Sequence, residues 1–331
     1  MNQLDNTNKN FSRYGFLITG GAGFIGSNIA KYLVSEGAGL VRVLDDLSTG
    51  DIQNLEPLFG KPNFEFIKGN ICDFNTCQTA IKGMHFISHH AALGSVQRSH
   101  DNPIHTNHIN IDGFLNILYA AKDSESLLRL VYASSSSVYG DSDFMPKSED
   151  IKGQNLLSAY AVSKFTNELY AGVFSRNYSL HTIGLRYFNV FGSSQKRDDV
   201  YGAVIPRFIF AGLENKRPLI FGDGNISRDF TYIENVVQAN VLAFFMENQE
   251  RHEVFNIASG KQTSLNDLWQ LIRAELKITL EPEYKASRVG DIKHSLANIS
   301  KAERFLGYKP QIDVEKGIRI LTAQITNKVL N

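Results

Sequence analysis

The segment Phe16-Leu-Ile-Thr-Gly-Gly-Ala-Gly-Phe-Ile-Gly26 constrains this chain more than any other. Its apolar start predicts a short strand, and the glycines predict a turn leading directly into a helix. Gly20 permits the tight turn, Gly23 lets backbone approach a pyrophosphate, and Gly26 lets the helix pack on the strand. A helix N-terminus presents unpaired N–H groups and partial positive charge, so an anionic pyrophosphate is stabilised there without a basic side chain. Such glycines also occur in tight turns of other α/β domains, and the neighbours set this turn apart. Ile25, Ile29 and Leu33 repeat at helical spacing, and a second strand, Leu40 to Leu44, runs into Asp45. An acidic residue about 20 positions beyond the glycines is placed to grip a ribose 2′-hydroxyl.

Asp46, Ser48, Thr49 and Gly50 follow as a polar loop expected to run past the adenosine half of such a cofactor. Two carboxylates with no arginine close behind repel a 2′-phosphate, which favours NAD over NADP. A third strand, Phe64 to Lys68, leads to Asn70 and Ile71, at a place suited to the adenine edge. A fourth, His85 to Ser88, ends at His89-His90-Ala91-Ala92-Leu93-Gly94. Ala91 and Ala92 are small enough for backbone to lie against a cofactor, and they suit plain helix–strand packing equally well. Ile111, Phe114, Leu115, Leu118 and Ala121 form a helical stripe within Ile109 to Lys122. A fifth strand, Leu128 to Ala133, then runs into the serines 134–137.

This alternation predicts an α/β fold, a Rossmann-type doubly wound parallel sheet whose ligands collect at the carboxyl edge. A long helix over Ser158 to Phe174 and a strand over Thr182 to Leu185 follow. Beyond them the segments shorten and prolines bracket several (Pro206, Pro218, Pro282, Pro310), which predicts a smaller mixed α/β substrate-binding portion. The expected division is residues 12–190 for the dinucleotide and 191–331 mainly for the substrate, some segments returning to the first part, with the cleft between them.

Lysine plus arginine and aspartate plus glutamate both number 34, so no charge argument supports nucleic acid or an anionic membrane surface as a partner. The first ten residues are polar, and no apolar run approaches the roughly 18 residues of a membrane span, so a cytoplasmic location is expected. Cys72 and Cys77 match no zinc or redox spacing, and no His-Glu-x-x-His pattern occurs, so no metal is expected.

Tyr160-Ala-Val-Ser-Lys164 places a phenol and an ammonium one helical turn apart on one face. Alone that is an ordinary surface pair. Beside a cofactor, a lysine cation favours the phenolate, and oxidised nicotinamide pushes the same way. A tyrosine so tuned removes a proton from a sugar hydroxyl near neutral pH. A serine of the 134–137 run can share that hydrogen bond, or simply cap the loop.

Taken together, Gly20-Gly-Ala-Gly-Phe-Ile-Gly26, Asp45, Ser-Ser-Ser-Val-Tyr-Gly140, Tyr160-x-x-x-Lys164 and Leu185-Arg-Tyr-Phe-Asn189 resemble the extended short-chain dehydrogenase/reductase family. The narrower resemblance is to the nucleotide-sugar 4-epimerases, over nearly the whole chain. It implies Tyr160 as base, Lys164 on the nicotinamide ribose and Ser135 as the catalytic hydroxyl. It implies NAD contacts from the residues above together with Phe24, Ile25, Leu93, Asn110, Ser134 and Tyr187. For a UDP-sugar it implies Gly94, Ser95, Ser136, Asn189, the Ala203-Val204 backbone at uracil, Phe221 stacking on uridine, Arg228 and Arg288 on the diphosphate, and Asp291 near the ribose. The implied reaction oxidises C4 to a bound ketone, turns the sugar about its diphosphate link and returns hydride to the other face. A homodimer built on the helices near 109–122 and 158–174 is implied as well.

Three departures stand out: Asn70 where many relatives have aspartate, Ala159 for a frequent proline, and Gly94 for a lysine of the galactose epimerases. Related dehydratases carry a carboxylate just after the catalytic hydroxyl, to eliminate water, and this chain has Ser136 and Ser137 there. The similarity is closest to the bacterial UDP-N-acetylglucosamine 4-epimerases, shared in His90-Ala-Ala-Leu-Gly-Ser-Val-x-Arg-Ser99 and Asp291-Ile-Lys-His-Ser-Leu-Ala297. Ser295 falls where glucose-restricted epimerases carry a tyrosine, leaving room for an N-acetyl group. UDP-GlcNAc and UDP-GalNAc are therefore the expected substrates, with UDP-glucose tolerated. A UDP-hexuronate, acetylated or not, is the alternative substrate, and a non-catalytic NAD-binding regulatory module the alternative of another class.

Overall fold

A computed structural model describes residues 10–151, 155–195, 204–247, 250–286 and 294–330. Strands β1 (Gly15–Thr19), β2 (Leu40–Asp45), β3 (Phe64–Lys68), β4 (Phe86–His89), β5 (Arg129–Ser135) and β6 (Thr182–Tyr187) lie where the apolar runs predict them. The two-residue or three-residue strands β7 (Val190–Phe191), β8 (Leu219–Phe221), β9 (Ser227–Arg228) and β10 (Thr231–Tyr232) follow, then β11 (His252–Ile257), β12 (Thr263–Ser264) and β13 (Glu283–Lys285). One seven-stranded sheet has the order β11-β6-β5-β4-β1-β2-β3, and all its pairings are parallel. The remaining short strands form three two-stranded pairs. From β1 the chain steps outward to β2 and β3, then returns to the other side of β1 for β4. That reversal opens a crevice between the carboxyl ends of β1 and β4, where ligands bind in sheets of this kind.

Helices α1 (Phe24–Ser35), α2 (Phe74–Ile81), α3 (Val96–Asp101), α4 (Pro103–Asn107), α5 (Gly113–Ala121) and α6 (Ala159–Tyr178) connect the strands of the first part. The second part carries α7 (Val204–Leu213), α8 (Ile233–Phe244), α9 (Leu265–Leu276), α10 (Ser300–Leu306) and α11 (Val314–Leu330). Alternate residues of each strand feed opposite layers. Phe16, Ile18, Val43 and Val131 pack on one side with Val236, Val241 and Phe244 of α8. Leu17, Ile87, Leu130 and Tyr132 pack on the other with Phe114, Ile117 and Ala171 of α5 and α6. Both faces of the sheet are covered, and the cleft is left at its edge.

Two helix starts bear directly on the cleft. α6 begins at Ala159, with the Ser158 side chain accepting from the Ala161 N–H, so alanine in place of proline leaves the start intact. Between α4 and α5 the helix widens into a π turn, His108–Asp112. Such turns re-aim a side chain, and this one turns Asn110 inward: its amide accepts from Leu93 N at 2.7 Å and donates to Leu93 O at 3.2 Å and Ser163 Oγ at 3.0 Å.

Candidate active site

A cavity of about 1230 Å³ runs along the carboxyl edge of the sheet. The β1 turn lines it with Gly20, Gly23, Phe24, Ile25 and Gly26, and the ends of β2 and β3 with Asp45, Asp46, Ser48, Thr49, Gly50, Asn70 and Ile71. The β4 loop adds Ala91, Ala92, Leu93, Gly94 and Ser95, and β5 adds Ser134, Ser135 and Ser136. Tyr160, Lys164, Tyr187, Asn189, Arg228 and Ser295 complete the anticipated wall. Val204 and Phe221 line a smaller pocket of about 240 Å³ that shares Asn189, Val190 and Arg228 with the first. Ala203, Arg288 and Asp291 lie outside the described residues. Asn110 is absent from the wall: it stands one layer behind, holding the Leu93 backbone in place.

The glycine turn is closely packed against its neighbours. Gly20 has φ +66°, and a Cβ there would sit 2.5 Å from Ala91 N, so the β1 and β4 loops touch at the switch point. A Cβ on Gly26 would sit 2.5 Å from Gly20 O. Asp45 is buried, its carboxylate accepting from Ala22 N at 2.9 Å and Leu47 N at 2.8 Å, so it braces the turn as well as facing the cavity. Asn70 lines the cavity just past β3, presenting a carbonyl oxygen and an NH₂ group. That oxygen accepts from Cys72 N at 2.7 Å, while its NH₂ donates to Asp46 Oδ2 at 2.9 Å. Aspartate at 70 would oppose two carboxylates across that gap, and the amide joins them instead.

The reacting groups meet at the end of β5. Ser137 donates to Ser135 Oγ through both its N–H, at 3.2 Å, and its hydroxyl, at 3.0 Å. The Ser135 hydroxyl and the Tyr160 phenol line the same cavity, and the hydroxyl favours the phenol's ionised form. Burial pushes the Tyr160 phenol up from its ordinary pKa, and the Ser135 hydrogen bond pulls it down. Lys164 donates to Ala133 O at 3.0 Å, and its Nζ lies 6.0 Å from the Tyr160 ring centre. Burial brings the lysine down to about 8. Lys164 and Ser135 thus flank the phenol in one wall, the lysine near its ring and the serine favouring its ionised form.

Several wall residues escaped the sequence reading. His90 follows a predicted strand at the switch point, a position that signals a ligand contact; its ring stacks on Tyr187 at 6.1 Å and 10°. Burial and then Lys164 lower it to about 3, which keeps it neutral. Lys147 reaches the wall because its backbone pairs with Leu296 and Asn298, at 2.7 and 2.8 Å, a long-range contact with no local signature. Arg98, Gln195 and His294 also line the cavity.

The fold and this wall define a dinucleotide-binding α/β enzyme with a Ser-Tyr-Lys centre. The family described as GDP-mannose 4,6 dehydratase matches residues 17–321. A putative UDP-glucose 4-epimerase of Methanocaldococcus jannaschii is 37% identical over 305 residues, 92% of this chain and 95% of that one. The UDP-N-acetylglucosamine 4-epimerase of Methanobrevibacter ruminantium M1, solved with UDP-N-acetylmuramic acid, superposes with a TM-score of 0.89 at 36% identity, covering 95% of this chain and 99% of that one. The UDP-glucuronic acid 4-epimerase of Bacillus cereus, solved with UDP-glucuronic acid and NAD, gives 0.86 at 29% identity, covering 95% and 99%. The chain belongs to the extended short-chain dehydrogenase/reductase family, among its nucleotide-sugar 4-epimerases.

Proposed function

We propose that the protein is an NAD-dependent UDP-sugar 4-epimerase that prefers UDP-GlcNAc and UDP-GalNAc and tolerates UDP-glucose and UDP-galactose. The observation that carries this is the juncture of Ser135, Tyr160 and Lys164 in one wall, with serines at 136 and 137 where elimination needs a carboxyl group. The glycine turn, Asp45 and Lys164 hold NAD, which supplies the reversible hydride acceptor. Tyr160 takes the proton from the sugar 4-hydroxyl and gives it back after the sugar turns, while Ser135 steadies the phenolate by donating to it. Asn189 and Arg228 hold the diphosphate, and Val204 and Phe221 the nucleoside. Arg288, Asp291 and the Ala203 backbone are proposed to complete that grip.

Ser295 supports the N-acetyl preference, since it lies in the cavity wall and its N–H is fixed to Ser227 O at 3.1 Å. Ser295→Tyr should abolish turnover of UDP-GlcNAc while sparing UDP-glucose, measured by separating the C4 epimers; equal loss on both counts against the preference. UDP-glucuronate belongs in the same assay, because a relative named for it is 32% identical over 312 residues and another superposes with a TM-score of 0.86. Replacing Tyr160 with phenylalanine should stop all isomerisation, and retained turnover would remove the catalytic assignment. A second copy of the chain is the proposed partner, across Tyr119 of α5 and Val162, Leu169 and Val173 of α6, all exposed apolar residues.

A further inference from the structure

Three residues on one face of α6, each four positions after the last, meet three consecutive residues at the end of β5. Tyr160 shares the cavity wall with Ser135, Lys164 donates to Ala133 O at 3.0 Å, and Glu168 Oε1 accepts from Ser134 Oγ at 2.5 Å. The first two contacts belong to the reaction proposed above. The third is unassigned. Glu168 is also gripped by Arg186 of β6, whose Nε reaches Oε1 at 2.9 Å and whose NH₂ group reaches Oε2 at 2.7 Å. Both residues are buried, and Arg186 stands opposite Ser134 in the strand register. The guanidinium lies 4.8 Å from the ring centre of Tyr139, another cavity residue.

A buried ion pair is weak evidence for stability, because apolar residues of similar volume often serve as well. Its location one turn beyond Lys164 calls for another account. We infer that Glu168 and Arg186 form a positioning pair for the reaction: Glu168, gripped by Arg186, fixes the end of β5 through Ser134 so that Ser135 stays on the Tyr160 side of the cavity wall. This rests on the catalytic reading of Ser135, Tyr160 and Lys164. The other titratable groups facing the pair are Tyr132 from β5, Tyr139 and Glu149 from the loops that follow it, and His252 from β11. None of them offers a second anion that fills the place of Glu168, since Glu149 is held by Asn256 N at 2.7 Å.

The test compares Glu168→Gln with the paired substitution Glu168→Leu and Arg186→Met, in the full-length protein with its NAD content measured. In Glu168→Gln the charged grip of Arg186 is lost and the end of β5 is loosened, so Ser135 no longer favours the phenolate and the acidic limb of the kcat profile should move to higher pH. Its kcat should fall about 100-fold, as for other small misplacements of reacting groups, with KM for the UDP-sugar nearly unchanged. In the paired variant Ser134 has no acceptor at all. The acidic limb should stay raised and kcat low. An unmoved limb in Glu168→Gln, or wild-type kcat in the paired variant, overturns the proposal. If Glu168→Gln fails to fold, the paired variant decides alone. Turnover surviving in Tyr160→Phe would instead remove the catalytic reading beneath it, which keeps the two failures apart.

Discussion

The Ser135 hydroxyl accepts from both the N–H and the hydroxyl of Ser137, and in the cavity wall it favours the ionised form of Tyr160. Ser135→Ala removes the hydroxyl that lowers the phenol's pKa, so the acidic limb of kcat should move upward, and kcat should fall about 100-fold. A pH–rate profile of the purified variant checks both, and a limb that stays put would show that Ser135 plays no part in the ionisation. At this scale the sequence was most legible. Gly20, Asp45, Ser135, Tyr160 and Lys164 fall where the motifs place them, because each sits within a residue or two of a strand end or on one helix face. Asn70 was half-legible: its place at the β3 end followed from the strand, but its partner Asp46 lies 24 positions away.

Among the elements, the short ones around the substrate wall are held by Asp229 rather than by regular pairing. Its carboxylate accepts from Ser259 N at 2.9 Å, Ser259 Oγ at 2.7 Å, Gly260 N at 3.1 Å and Ala297 N at 3.2 Å, which joins the ends of β9 and β11 to the segment bearing Ser295. Asp229→Asn replaces one acceptor by a donor facing two N–H groups, and should cost about 2–3 kcal/mol, read as a lower thermal midpoint. Burial raises the carboxyl from 3.8 to about 6, so the contribution of the aspartate is fully present below about pH 4 and is lost as pH rises through about 6. The midpoint gap between wild type and variant should accordingly narrow from pH 4 to pH 7; a gap that widens contradicts the assignment. Here the sequence was least legible. Strands β7, β9, β10 and β12 span two residues each, too few to show any period. β11 alternates poorly because it is an edge strand, and its place beside β6 is set by packing across 70 residues.

At the scale of the whole molecule, an exposed apolar face lies on α5 and α6 among the described residues. Leu169 is 56% exposed and Tyr119 50%, on the two helices proposed to meet a second copy. Leu169→Glu places a charge in the middle of that face and should convert a dimer into a monomer, measured by light scattering after size exclusion; an unchanged mass removes this face from the interface. The parallel strands β1 to β6 were legible from the alternation of strand and helix, which is lost after Asn189, where every described strand but β11 shortens to two or three residues. The way the two parts share one sheet was not. β11 supplies the outermost strand beside β6, although more than 60 residues separate it from the preceding strand of that sheet. While the chain is being synthesised, N-terminal end first, the nucleotide-binding half has already left the ribosome with the backbone of β6 unpaired along one side. Until residue 257 emerges, that bare margin is open to any other extended peptide, so the nascent chain passes through an aggregation-prone interval that the finished enzyme no longer shows.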